Sequence, residues 1–341
     1  MGKIKRNFVL NTIAQVLRLL TPFITTPYVS RVLGADRIGL FSYSYSYQSY
    51  FCLIAVLGTV AYGSREIARD RDDRYLTSKS FWEIELLTVM TSAIAILGWG
   101  VMIYIQKENR LLYIILTTYL LASMLDISWL YSGLEKFPYL VARSVFVRLA
   151  EVASIFVFVR SADDLAIYCA IMGGGTLIGN ASLWLSIKKS VDFVPLSELK
   201  PLRHLKGTLV FFLPTIATTI YTVLDKTLIG VITKSNYQNG CYEQATKVIE
   251  IAKAITFTSL NTVLSPRSSY MFANKQFDSI KKNLLLSTDI MLAIGFGFAF
   301  GIGAVSDRFV PVFFGAGYDM VIILLRLLCP IIVIITISNA L

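Results

Sequence analysis

LLTVMTSAIAILGWGVMIYI, residues 86–105, is a stretch of twenty residues without a single charge. As an α-helix, rising about 1.5 Å per residue, it measures about 30 Å, the thickness of a bilayer's hydrocarbon core. A membrane β-strand would need only about ten residues and would alternate in polarity. This stretch is twice that length and does not alternate, so it reads as a transmembrane helix. It lies in an apolar run over 81–105. Nine similar runs flank it: 8–30, 38–62, 111–131, 143–160, 164–186, 208–232, 241–265, 284–305 and 319–341. The expected fold is therefore all-α: a polytopic membrane protein with about ten transmembrane helices.

Composition agrees. Of 341 residues, 55% are hydrophobic and 16% charged, against about 25% charged in soluble domains. A soluble enzyme and a disordered chain are both excluded, because disorder needs low hydrophobicity and high charge. The net charge of +10 reflects cations kept in cytoplasmic loops rather than a nucleic-acid partner. The four cysteines, Cys52, Cys169, Cys241 and Cys329, form no CxxC pair, so neither a disulfide framework nor a cysteine metal site is expected. His204 is the only histidine and reads as isolated in a basic loop. No metal, cofactor or catalytic residue is expected. Lys3, Lys5 and Arg6 precede an apolar run too long for a signal peptide and without a cleavage motif, so the first helix is expected to remain uncleaved.

Cations orient the chain. One side carries three in the N-terminal tail and five after the second run (Arg65, Arg69, Arg71, Arg74, Lys79). It also carries Lys136 and Arg143, five in 187–207, and Arg267, Lys275, Lys281 and Lys282. The other side carries only Arg31, Arg37, Lys107, Arg110, Arg160, Lys234 and Arg308. The N-terminus is expected in the cytoplasm. The basic stretch 187–207 is the longest polar connection and reads as a linker. It separates an N-terminal six-helix lobe (1–186) from a C-terminal lobe (208–341). Gly39 and Gly240, 201 residues apart, close equivalent hairpins, a faint echo of a parallel repeat. By that repeat the second lobe, with four helices, is expected to be cut short.

Charges within spans are costly and usually face water or one another. Asn11, Gln15, Arg18 and Thr25 share one face of the first span, and Arg18 lies too deep to snorkel. Arg148 and Glu151 are three apart in the fifth span. Asp225-Lys226 sits in mid-span of the seventh. Glu243, Lys247, Glu250 and Lys253 form a stripe on the eighth. Asp126 and Arg326 lie in the fourth and tenth. Ion pairs fixing helix register are one reading. A wet, net-positive cavity between the lobes explains the set better, and it would suit an anionic substrate such as a phosphate. Among weaker signals, Gly173-Gly174-Gly175 and Gly297-x-x-x-Gly301 are expected to pack closely inside the bundle. Pro22, Pro27 and Pro214 are expected to kink their helices. Tyr43, Tyr45, Tyr47 and Tyr50 read as an aromatic belt or, more sharply, as sugar-stacking rings. Asp70-Arg71-Asp72 matches a glycosyltransferase metal motif, but in a short basic loop it reads as solvated.

Several segments, in order along the chain, resemble the Wzx-type oligosaccharide flippases. These are the polysaccharide-transporter branch of the multidrug/oligosaccharidyl-lipid/polysaccharide superfamily. The segments are Pro27-Tyr28-x-x-Arg31-x-Leu33-Gly34 with Gly39, Gly63-Ser64-Arg65-Glu66-Ile67-Ala68, and Asp126-x-x-Trp129-x-x-x-Gly133-x-Glu135. Then come Tyr221-x-x-x-Asp225-Lys226-Thr227-x-Ile229-Gly230, Pro266-Arg267, Phe313-Phe314-Gly315 and Ser338-Asn339. The resemblance implies movement of an undecaprenyl-diphosphate-linked oligosaccharide across the bacterial inner membrane by alternating access. A polysaccharide polymerase and a chain-length regulator are the expected protein partners. Asp225 and Lys226 match the family motif. Arg18, Arg148, Lys247 and Lys253 join them as expected cavity residues from their helix faces, and Glu151, Asp225 and Glu250 are the carboxylates expected to carry a coupled proton. Competing readings are a cation-coupled drug exporter, a lipid-precursor flippase of the same superfamily, and a membrane-embedded glycan enzyme. A drug exporter should have a carboxylate-rich cavity, and a membrane-embedded enzyme a large outward loop. The sequence has neither.

Overall fold

The computed structural model describes the backbone of residues 3–273 and 277–340, and the side chains of 20–256, 285, 286 and 288–338. Among the described residues all regular structure is helical. The helices are α1 (Lys3–Val56), α2 (Thr59–Asp70), α3 (Arg74–Ile105), α4 (Arg110–Met124), α5 (Ser128–Gly133) and α6 (Phe137–Phe158). They continue with α7 (Leu165–Leu183), α8 (Leu205–Thr233), α9 (Asn236–Ala273), α10 (Phe277–Phe314), α11 (Asp319–Leu328) and α12 (Pro330–Ala340). Among the described residues, seven helical stretches are long and apolar enough to cross a membrane. The long helices α6 and α9 are outside that set and carry clusters of charge near their middles.

Boundaries differ from the sequence reading in instructive ways. The first two runs form one helix, broken at Gly34 (φ 75°, ψ 167°). Pro22 and Pro27 lie within it, and the residue with non-helical dihedrals is Gly34. The basic segment after the second run is a helix, α2, rather than a loop, and it buries Glu66 and Ile67. The last run splits at Pro330, which opens α12 at the position where a missing N–H costs nothing.

The chain forms two compact units. The first comprises residues 1–21 and 40–234. Its core gathers Ile67, Phe81, Ile84, Ile127, Trp129, Leu130, Tyr131 and Leu183. Trp129 stacks on Phe81 at 5.4 Å, and a Cβ at Gly63 would lie 2.5 Å from its ring. Gly133 meets Ile67 in the same way, so two of the quoted motifs are the two halves of the α2–α5 contact. Trp99 stacks on Tyr113 at 5.2 Å and donates Nε1 to its carbonyl at 3.1 Å, joining α3 to α4. The α1 tyrosines are half-buried and partnered. Tyr43 meets Tyr47 edge-on at 5.1 Å, Tyr45 meets Tyr119 at 5.2 Å, and the Tyr50 hydroxyl lies 3.0 Å from Thr227 Oγ1.

The stretch 190–204 is a strap held down along this unit. Asp192 accepts from Arg74, its carbonyl accepts from Trp82 Nε1 at 2.9 Å, and its N–H donates to Ser78 at 2.9 Å. Tyr75 donates to Glu198, and Lys136 donates to Ser190 at 2.8 Å. The Arg74 guanidinium holds the Asp192 carboxyl below the ordinary carboxylate range.

The second unit comprises residues 22–39 and 235–341. Its core includes Cys241, Ala245, Val248, Ile249, Phe314, Tyr318, Val321 and Leu325. Here the echoing glycines face each other. A Cβ on Gly39 would lie 1.7 Å from the Asn236 carbonyl oxygen, and one on Gly240 would lie 2.0 Å from that of Ala35. Backbones this close leave no room for any side chain. Arg31 donates to the Val312 carbonyl, and Tyr318 donates to that of Ser30 at 2.9 Å. Gly315, at φ 93°, sits against the Arg31 side chain.

Candidate functional site

The charges expected at mid-membrane divide between the two units. On α6, Arg148 Nη1 donates to Glu151 Oε2 at 3.0 Å across one helical turn. Glu151 is buried although Arg148 is not. The glycine run of α7 makes the room, since a Cβ on Gly175 would lie 2.4 Å from Glu151 Oε1. A pocket of about 250 Å³ opens beside this carboxylate, lined by Phe146, Ala150, Ser154, Gly174 and Ile178 among others. Gly173 packs on Thr118 of α4. By contrast, Gly297 and Gly301 on α10 face open space, so the close packing expected there is absent. It occurs at Gly295, against Thr336.

On α8, Asp225 is exposed and Lys226 half-buried. Thr227 next to them bonds Tyr50 and, at 2.9 Å, Ser46. A Cβ on Gly230 would collide with the Tyr43 ring. The family-like motif therefore docks on α1 through Thr227 and Gly230, while Asp225 lies on the far side of the helix and Lys226 between them. In the second unit, Lys247 pairs with Glu243 at 3.4 Å, Glu250 is exposed and Lys253 is half-buried. Arg326 pairs with Asp307. The side chains of Asn11, Gln15 and Arg18 lie outside the described residues, as do those of Pro266-Arg267 and the segment Asn339-Ala340-Leu341.

Sequence reasoning missed a buried polar node. His204 is not isolated. It is buried, with Nδ1 2.7 Å from the Tyr62 hydroxyl and Nε2 2.9 Å from Glu83 Oε2. Glu83 also holds Arg203 at 2.6 Å and accepts from the Lys200 N–H at 2.9 Å. Two residues along α3, Glu85 is 3% exposed with no hydrogen-bond partner for either carboxylate oxygen. Asp126 lies within electrostatic reach of it. Both glutamates stand at the edge of an apolar run, where sequence makes them look like flanking charges. Asp70 is structural: it accepts from Ser80 at 2.7 Å and pairs with Arg69. Among the described residues no three His, Cys, Asp or Glu side chains are grouped to hold a metal ion.

Apolar spans and long charged helices describe a polytopic membrane protein. The backbone matches solved MATE transporters of the MOP superfamily. An inward-facing multidrug-resistance MATE structure aligns with a TM-score of 0.68 over 96% of this chain and 82% of that one, at 14% identity. An outward-facing one aligns at 0.55 over 100% and 81%, also at 14% identity. Residues 4–272 match the family described as polysaccharide biosynthesis protein, and the chain belongs to that family. Two proteins called "Putative O-antigen transporter" are similar in sequence. The one from Escherichia coli (strain K12) is 24% identical over 98% of this chain and 81% of its own length. The one from Shigella dysenteriae is 29% identical over 66% and 58%. The chain is a multi-pass protein of the bacterial inner membrane, and its relatives are transporters rather than enzymes.

Proposed function

We propose that this protein moves an undecaprenyl-diphosphate-linked oligosaccharide repeat unit from the cytoplasmic to the periplasmic leaflet of the inner membrane. The observation that carries the reading is the match to an O-antigen transporter along 98% of the chain. Alternating access is supported by the occurrence of the same fold in inward-facing and outward-facing forms. On this reading Arg18, Arg148, Asp225, Lys226, Lys247 and Lys253 handle the diphosphate–sugar head group. Cations dominate that set, as a doubly charged phosphate ester requires. Glu151, Asp225 and Glu250 are the carboxylates assigned to proton coupling. The six helices before the strap and those after it act as the two lobes, with the N-terminus in the cytoplasm. A polysaccharide polymerase and a chain-length regulator take the product.

The test is deletion of the gene in its source bacterium, with the lipid-linked oligosaccharide followed by leaflet using a periplasmic sugar-modifying probe. Cytoplasmic-face accumulation with loss of surface glycan is expected. Unchanged distribution and surface glycan, in a strain without a second flippase, would overturn the reading. Arg18→Ala and Lys226→Ala, at native expression, should each cut translocation at least tenfold while leaving membrane abundance intact. Normal surface glycan in both would remove the cationic pathway.

A further inference from the structure

Helix α8 has three sides, and they differ in kind. At about 100° per residue, Thr227 and Gly230 fall on the side that docks against Tyr50 and Tyr43 of α1. Val210, Leu213, Leu224 and Leu228 fall together on a second, exposed side. Thr215, Thr218, Thr222 and Asp225 fall on a third, within an arc of about 80°, and all four are exposed. Thr219 and Lys226 border this arc.

The apolar side can meet lipid at no cost. The third side cannot. Each threonine donates its hydroxyl proton back into its own helix: Thr215 to Phe211 at 2.9 Å, Thr218 to Pro214 at 3.0 Å and Thr222 to Thr218 at 2.9 Å. That satisfies the donors, and threonines alone would be tolerated against lipid. Asp225 on the same arc would not. The arc runs about 15 Å along the helix and lies about ten residues from one helix end and eight from the other, beyond the reach of snorkelling. A surface of this kind belongs beside water.

With their protons committed inward, the three hydroxyls offer lone pairs outward. Evenly spaced acceptors ending in a carboxylate match a ligand rich in hydroxyl donors, which is the chemistry of a glycan rather than of its phosphates or its lipid tail. We infer that Thr215, Thr218, Thr222 and Asp225 form an acceptor track that passes the hydroxyl groups of the transported sugar along α8. This rests on the transport reading above but assigns the sugar, not the diphosphate, to this side of the helix.

Two measurements separate its failure from failure of that reading. The first needs no substrate. Thr218→Cys and Leu213→Cys, in a chain whose four native cysteines are replaced, are treated in membranes with a water-soluble, membrane-impermeant maleimide. Thr218→Cys should label at least tenfold faster, and equally slow labelling would overturn the wet track whatever the protein transports. The second is translocation in the deletion strain. Replacing all three threonines with valine keeps shape and removes the acceptors, and should slow translocation at least tenfold at unchanged abundance. The triple serine variant keeps the acceptors and should stay within twofold of the parent. A triple valine variant as active as the parent would overturn the sugar assignment. Purified lipid-linked oligosaccharide should also protect Thr218→Cys from the maleimide. Absence of protection in a preparation that binds the lipid would equally overturn it.

Discussion

At the scale of single residues, the glycines divide sharply by what surrounds them. Gly39 faces a backbone carbonyl that a methyl group would overlap, whereas Gly297 faces nothing. Gly39→Ala should cost about 3 kcal/mol or more, read as a lower thermal midpoint of the purified protein in detergent. Gly297→Ala should raise that midpoint, through up to about 1 kcal/mol of added stability, because alanine is the better helix former. Glu85 is a second case. A buried carboxylate without partners is a standing cost, and leaving such a group unsatisfied costs at least about 1 kcal/mol. Glu85→Met should therefore raise the midpoint. A fall would show that Glu85 has a stabilising partner. Sequence could not separate these cases. Gly39 and Gly297 look alike in an apolar helix, and only the opposing backbone tells them apart. Glu151 was legible from its spacing to Arg148. Glu85 was not, because nothing in a sequence tells whether a carboxylate at a helix edge points inward.

At the scale of elements, the segment read as a basic linker is tethered at both ends of 190–204. Its cations suggested solvent. Three of its groups, Lys200 N–H, Arg203 and His204, converge instead on Glu83. Glu83→Ala should free the strap, read as faster proteolysis within 190–204 in inside-out vesicles. Acid should loosen its other end. The Asp192 carboxyl is held low by Arg74, so this contact contributes fully above the ordinary aspartate value of about 3.9. It is lost as the pH falls through the lowered value. Pepsin cleavage near Asp192, normalised at each pH to cleavage of an unstructured peptide, should rise across that range, and Asp192→Asn should remove the rise. The helices themselves were legible from apolar length. Their ends were not, because the charged stretch 31–37 stays helical except at Gly34, and Pro330 interrupts a hydrophobic run without changing its composition. The motifs that carried the family resemblance proved to be packing points: Trp129 on Gly63, Gly133 on Ile67, Gly230 on Tyr43. Their order along the chain encodes a fold more than a chemistry.

At the scale of the whole molecule, a sequence division after residue 186 and a compact unit running to Lys234 answer different questions. The first follows polarity along the chain, and the second follows contacts. The middle of α1, residues 22–39, belongs with helices that come nearly two hundred positions later. Expressed alone, residues 1–234 should be degraded in the membrane. Co-expression with 235–341 should restore them, and equal abundance with and without the second piece would show that 22–39 needs no such partner. The same interleaving has a consequence for biogenesis. At about 5–20 residues per second, a ribosome needs about 10–40 s to travel from Gly39 to the segment that will cover it. Throughout that interval a freshly inserted helix waits in the bilayer with its narrowest seam open. Whatever shelters nascent membrane segments must therefore hold this one longest.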